Sequence, residues 1–195
     1  MTTIGIIRHG TTEWNLQGRM QGQLDTPLAE VGIIQAKLLA KRLKTESWHG
    51  VITSDLMRAK ATGHIIADEL GIPMLAYDPG IRERGFGQLE GTTEEERVER
   101  FGAGWREREL ELGMESDESL LSRGLAVLED AAAAYPGQRI LIISHGGIIV
   151  PMLKKLTNDP IERHLKNTSL SILSRAETGW NCELLNCTAH LDELG

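Results

Sequence analysis

The chain has 195 residues, of which 41% are hydrophobic, and 28 Asp and Glu stand against 21 Lys and Arg for a formal net charge of −7. That length suits one domain with a sizeable core, and the apolar content excludes disorder as the overall state. The acidic balance argues against a general nucleic-acid or anionic-membrane surface, so any bound anion needs a local cluster of cations.

No run approaches the roughly 18 apolar residues of a membrane span, and residues 1–10 lack a basic segment followed by a long apolar one. The expectation is a soluble, cytoplasmic protein. Cys182 and Cys187 lie five apart in one predicted strand, and that odd spacing turns them to opposite faces, as unlinked reduced thiols.

Six short β-rich runs alternate with helical patterns, which predicts a mainly parallel sheet. The first, Thr3 to Ile7, runs into Arg8-His9-Gly10. Val31, Ile34 and Leu38 recur at i, i+3 and i+7 and mark a helix. Val51 to Thr53 is the second strand. The helix after it carries the stripe Leu56, Ala59, Gly63, Ile66, Ala67 and Leu70, with Ser54 and Asp55 as its expected caps. Met74 to Ala76 is the third strand. Thr92 to Leu112 reads as one charged amphipathic helix with Val98, Phe101, Trp105 and Leu112 on one face and Gly102 and Gly104 interrupting it. Such a helix is either a solvated structural element or a mobile cover over a site. Leu120, Gly124, Val127, Leu128 and Ala131 mark a later helix. The fourth strand, Arg139 to Ser144, contains the unbroken apolar run Ile140 to Ile143 of a central strand. Ser169 to Leu173 and Trp180 to Leu185 pair as a hairpin around Glu177, Thr178 and Gly179. The predicted architecture is a single domain over residues 1–195, a three-layer α/β/α sandwich with one antiparallel edge strand and a candidate helical cover at residues 92–116.

Several chemistries lack their signatures: there is no G-x-x-x-x-G-K-[ST] phosphate loop, no H-E-x-x-H and no G-x-S-x-G elbow. Gly85, Gly87 and Gly91 do not fit the dinucleotide fingerprint, and no zinc-like ligand cluster is evident. The sequence does place polar residues at predicted strand ends, where open α/β sheets bind ligands. Arg8-His9-Gly10 follows the first strand and Ser144-His145-Gly146-Gly147 the fourth, which suggests one site built from both. Arg58 falls in the first turn of its helix, off the apolar stripe, where the dipole disfavours a cation; it is either a solvated arginine or one that meets an anion at the helix start.

These residues carry a wider pattern. Arg8-His9-Gly10-Thr11-Thr12-Glu13-Trp14-Asn15 resembles the opening motif of the histidine phosphatase superfamily, in its phosphoglycerate-mutase-like branch. Thr53-Ser54-Asp55-Leu56-Met57-Arg58-Ala59 is similar to that family's second motif, and Ile81-Arg82-Glu83-Arg84-Gly85-Phe86-Gly87 with Glu90-Gly91 to its acid motif. Ser144-His145-Gly146-Gly147 resembles its late histidine motif, and Asn186-Cys187-Thr188-Ala189-His190-Leu191 its tail. Four ordered motifs cover nearly the whole chain. Ala29 departs from the pattern, standing where the family usually carries a Thr or Ser helix cap.

The resemblance implies transfer of a phosphoryl group first to His9 and then to water. His9 attacks as a neutral imidazole, its other nitrogen donating to a carbonyl that the turn at Gly10 is placed to offer. Arg8, Arg58 and His145 surround the transferring group, whose charge calls for electrostatic stabilisation. Asn15 adds a neutral donor. Glu83 serves as general acid and then base, facing the pocket while Arg82 and Arg84 turn away or meet the distal part of the substrate. Gln21, Gly22 and Gly146 match segments that line the phosphate site, although Gly22 reads equally as a plain loop glycine. Trp14, Arg84, Phe86, Trp105, Arg106 and Arg108 are candidates for the outer pocket, and His49, His64, His164 and His190 read as structural or surface residues.

The implied partner is a small phosphorylated metabolite, with no nucleic acid, no membrane, no metal and no cofactor. The shortness of the chain, and the absence after the acid motif of the long proline-rich stretch that mutases carry, favour a phosphatase. The alternatives are a phosphoglycerate mutase, which would use 2,3-bisphosphoglycerate, and a non-catalytic phosphate-binding module.

Overall fold

The computed structural model describes residues 1–157 and 164–194. One six-stranded sheet has the order β3-β2-β4-β1-β5-β6. Its strands are β1 (Thr2–Arg8), β2 (Gly50–Thr53), β3 (Met74–Tyr77), β4 (Arg139–Ser144), β5 (Leu170–Ala176) and β6 (Gly179–Cys187), and the one-turn helix α1 (Glu13–Leu16) follows β1. The first four run parallel, while β5 is antiparallel to β1 and forms the expected edge hairpin with β6. The antiparallel strand is thus β5, one place in from the edge. Neither Cys182 nor Cys187 forms a disulfide.

Alternation along each central strand feeds two cores. Ile4, Ile6, Ile52, Ile140 and Ile142 point to one face and pack with Leu120 and Leu128 of α5 (Asp117–Ala134) and with Ile148 and Met152 of α6 (Gly146–Thr157). Ile7, Val51, Leu141 and Ile143 point to the other face, against Leu39 and Leu43 of α2 (Glu30–Leu43) and Ala59 and Ile66 of α3 (Met57–Leu70). This is the predicted three-layer α/β/α sandwich. None of the described helices is long and apolar enough to cross a membrane.

Three local expectations change. The buried face of α2 is Gly32, Ala36, Leu39, Ala40 and Leu43, while Ile34 of the predicted stripe is 42% exposed. Small residues take that face because the backbones meet there: side chains at Gly10 and Gly32 would collide with the facing main chain at Gly32 and Thr11. Ala29 is the N-cap of α2 and contributes no side-chain bond. Next, α3 is not capped by Ser54 or Asp55 in the usual way. Its N-cap is Leu56, and the Met57 N–H donates to Asp25 Oδ1 at 2.6 Å, from a distant loop.

The third change concerns residues 92–112, which do not form one helix. A short helix, α4 (Glu94–Phe101), starts from a capping box at Thr93 and stops where Gly102 takes φ 82°. A 3-10 turn follows at Trp105–Arg108. Val98 is exposed, whereas Trp105 and Leu112 pack on Leu89 in a small separate cluster with Met20, Phe86, Phe101 and Met114.

Candidate active site

At the carboxyl ends of β1, β2 and β4 opens a cavity of about 1050 Å3, at the place where open α/β sheets bind ligands. Of the nine residues singled out from sequence, Arg8, His9, Asn15, Gln21, Gly22, Arg58, Glu83 and Gly146 line it. His145 does not. It is fully buried beside His9, with ring centroids 5.1 Å apart.

His9 directly follows β1, and its main-chain N–H donates to Ser144 O at 2.9 Å, tying the ends of β1 and β4 together. Its Nδ1 lies 2.7 Å from Gly10 O. A carbonyl can only accept, so Nδ1 carries the proton and Nε2 keeps its lone pair. Burial, with Arg58 and Arg8 nearby, pushes the His9 pKa well below the ordinary imidazole value. Burial and the same arginines do likewise to His145, and neither of its ring nitrogens has a partner among the described residues.

Two arginines, Arg58 buried and Arg8 half-buried, supply the positive field. Among the described residues Arg58 hydrogen-bonds carbonyls only, Nη1 donating to Leu24 O at 2.9 Å and Nη2 to Gly22 O at 2.7 Å. Burial lowers its pKa to about 10, so it stays charged at neutral pH. Arg8 donates to Leu165 O. The Nε of each is buried without a partner among the described residues. Carbonyls orient a guanidinium without cancelling its charge, and the Glu83 carboxylate favours the charged form of both through space. Gly22 holds its carbonyl at Arg58 through φ 53°, and a side chain there would run into the Glu90 carboxylate.

Glu83 faces both histidines' end of the cavity from the loop after β3. Its Oε1 accepts the Arg84 N–H at 2.7 Å and its Oε2 the Gly147 N–H at 3.1 Å, so each oxygen is fixed. Gly147 has to be glycine, since any side chain would meet that carboxylate. Arg82 turns away into a bidentate pair with Asp55 at 2.6 and 2.5 Å. Arg84 stays on the cavity wall, tied to Glu115 O and Asp117. Arg123 of α5 braces this loop by donating to the carbonyls of Gly80, Arg82 and Glu83 and pairing with Glu115. Sequence reading missed it, although an arginine between the core positions Leu120 and Gly124 was an available signal.

The amide ligands are oriented by hydroxyls. Gln21 Oε1 accepts from Thr26 at 2.6 Å and Thr12 at 3.0 Å, which leaves its NH2 as the unheld end. Asn15 Oδ1 accepts the Thr12 N–H at 3.1 Å in a capping box, which likewise leaves its NH2 unheld. Arg84, Phe86, Trp105 and Arg106 line the outer cavity as expected. Trp14 and Arg108 do not: Trp14 packs on Arg19 and Arg108 pairs with Glu111. His164, read from sequence as structural or surface, is on the cavity wall.

The histidine phosphatase superfamily (branch 1) model matches residues 4–188. The chain is 35% identical over 194 residues to the uncharacterized phosphatase PhoE of Bacillus subtilis, covering 98% of this chain and 97% of that one. It is 32% identical over 203 residues to a metal-independent phosphoserine phosphatase of Arabidopsis thaliana (100% and 85%), and 37% identical over 207 residues to a probable phosphoglycerate mutase, GpmB, of Yersinia pestis (98% and 96%). The chain belongs to the histidine phosphatase superfamily. It is an enzyme of the histidine phosphatase type, similar over nearly its full length to phosphatases and to a mutase of that branch.

Proposed function

We propose that this protein hydrolyses small phosphomonoesters through a phosphohistidine on His9. The observation that carries this reading is the His9 tautomer: Nδ1 is committed to Gly10 O, leaving Nε2 as a nucleophile beside Arg8, Arg58 and His145 and within the cavity that Glu83 also lines. In the first step Nε2 bonds to phosphorus, the bond to the leaving oxygen breaks, and the proton on Glu83 passes to that oxygen. In the second step water attacks phosphorus and gives a proton back to Glu83 as the P–N bond breaks. The guanidiniums of Arg8 and Arg58, with the NH2 groups of Asn15 and Gln21, hold the equatorial oxygens in both steps, and His145 backs His9 from its buried place beside that ring. Gly22 and Gly146 line the same cavity.

No metal or cofactor has a role in this scheme, because the arginines supply the field that a metal would. Residues 92–116 serve as the outer wall of the site within a single domain. Thiols outside any disulfide fit a cytoplasmic enzyme acting on a free phosphorylated metabolite.

Phosphorus NMR tests the reading, with 3-phosphoglycerate, phosphoserine and other small phosphomonoesters, with and without 2,3-bisphosphoglycerate, and with His9→Ala as control. Free phosphate from the wild type and none from the control is the expected result. Interconversion of 2- and 3-phosphoglycerate that depends on the bisphosphate would make the protein a mutase. Equal phosphate release from wild type and control would remove His9 from the chemistry.

A further inference from the structure

Asn167 lies in none of the motifs that define the site, yet its side-chain NH2 touches two parts of it. It donates to the main-chain oxygen of His9 at 2.9 Å and approaches Asn15 Oδ1 at 3.4 Å. Two hydrogens thus face two acceptors, one on the residue that attacks and one on a residue that holds the phosphate. Asn167 is itself braced. The next residue, Thr168, sits at φ 57° and donates its N–H to Arg8 O at 3.0 Å. Its hydroxyl lies 2.7 Å from Asn167 O and 3.0 Å from His190 Nε2, and the His190 ring is buried. Donation of the hydroxyl to Asn167 O leaves His190 Nε2 as the donor to Thr168, a consistent chain from the tail of the protein to the loop after β1.

We infer that Asn167 is a positioning residue that sets the amide orientation of Asn15 and couples it to the His9 backbone. The inference rests on the phosphate site proposed above. An amide has one accepting and one donating end, so whatever donates to Asn15 Oδ1 decides that its NH2 is the end offered to an anion. The Thr12 N–H and hydroxyl, each 3.1 Å from that oxygen, make part of the choice, and Asn167 adds a donor from the other side of the chain. With an acceptor in place of the Asn167 NH2, the Asn15 amide is drawn to turn over and present its oxygen to the phosphate, where it repels.

Orthovanadate binding, measured by calorimetry on the wild type, Asn167→Ala, Asn167→Asp, Asn15→Ala and the Asn15→Ala/Asn167→Ala double variant, tests this without reference to turnover. Asn167→Asp keeps the size of the side chain and replaces its donors with acceptors. Both Asn167 variants are expected to bind vanadate about tenfold more weakly while keeping a folded near-ultraviolet spectrum, and the double variant is expected to lose little more than Asn15→Ala alone. Losses that simply multiply would show that Asn167 does not act through Asn15. Wild-type affinity in Asn167→Asp, or failure of both Asn167 variants to fold, would make the residue part of the scaffold and overturn the inference. If the wild type binds vanadate with this coupling but releases no phosphate, the proposed activity fails and the positioning role stands.

Discussion

At His9 a single hydrogen bond decides which nitrogen reacts, and the neighbouring charges decide over what pH range it can. Burial and the two arginines depress its pKa, so it stays neutral well below pH 6.5, the ordinary imidazole value. Because Arg58 is one of the depressing charges, Arg58→Gln is expected to move the acid limb of kcat/KM to higher pH as well as lowering its plateau; an unmoved limb would show that Arg58 does not govern the titration. Glu83→Gln keeps the size of the side chain but has one oxygen to accept the two N–H donors of Arg84 and Gly147, and no acidic proton to give. Its activity on an alkyl phosphate should fall by about 10² to 10⁴, and much less on 4-nitrophenyl phosphate, whose leaving group needs no acid. Gly147→Ala displaces the same carboxylate by steric contact, so rates should drop on the alkyl substrate with the fold retained. Arg8, His9 and Arg58 were legible because each sits at a strand or helix end, and Glu83 because it lies in a recognisable run. Asn167 and Asp25 were not, since each acts on residues 30 or more positions away and nothing local marks such a contact, and Arg123 showed locally only as an arginine between core positions.

Among the elements, the strands were easiest to read, because Ile140 to Ile143 and its neighbours are buried on both faces. The helix faces were harder. The hydropathy of α2 favours Ile34, but close backbone packing at Gly10 and Gly32 selects small residues for the buried side. Residues 92–112 misled for another reason: Gly102 breaks the helix, and Trp105 is buried by a turn and not by helical periodicity. The result is a separate small cluster, attached to the main cores by the loop that carries Glu83. Trp105→Ala should therefore loosen the outer wall selectively. Hydrogen exchange is expected to quicken across residues 94–114 while β1 and β4 stay protected, and a uniform loss of protection would show that the cluster is not independent.

For the molecule as a whole, the buried neutral histidines set the acid limit of stability. His190, pulled down to about 4 mainly by burial, takes up a proton in the unfolded chain near pH 6.5 but in the folded one only near 4. A lowered folded-state pKa means that its contribution is complete above about 6.5 and disappears as the pH falls towards 4. His9 and His145 act in the same direction. Urea midpoints should fall steadily from pH 7 to pH 4.5, and less steeply in His190→Gln; parallel slopes would exclude His190. Turnover should survive a chelator, and its loss with recovery on adding one divalent ion would overturn the metal-free scheme.

The carbonyl-held arginines have a further effect, because Arg58 is buried and Arg8 half-buried with no carboxylate hydrogen-bonded to either among the described residues. Without an anion both guanidiniums bear the cost of desolvation, offset mainly by the Glu83 carboxylate through space, and an anionic ligand lowers that cost further. Inorganic phosphate, the product of the proposed reaction, is then a stabiliser of the fold: at about a hundred times its Kd it adds about 2.7 kcal/mol, or roughly 5 to 10 °C in melting temperature for a chain of this size. The resting form most resistant to heat would be the one holding its own product.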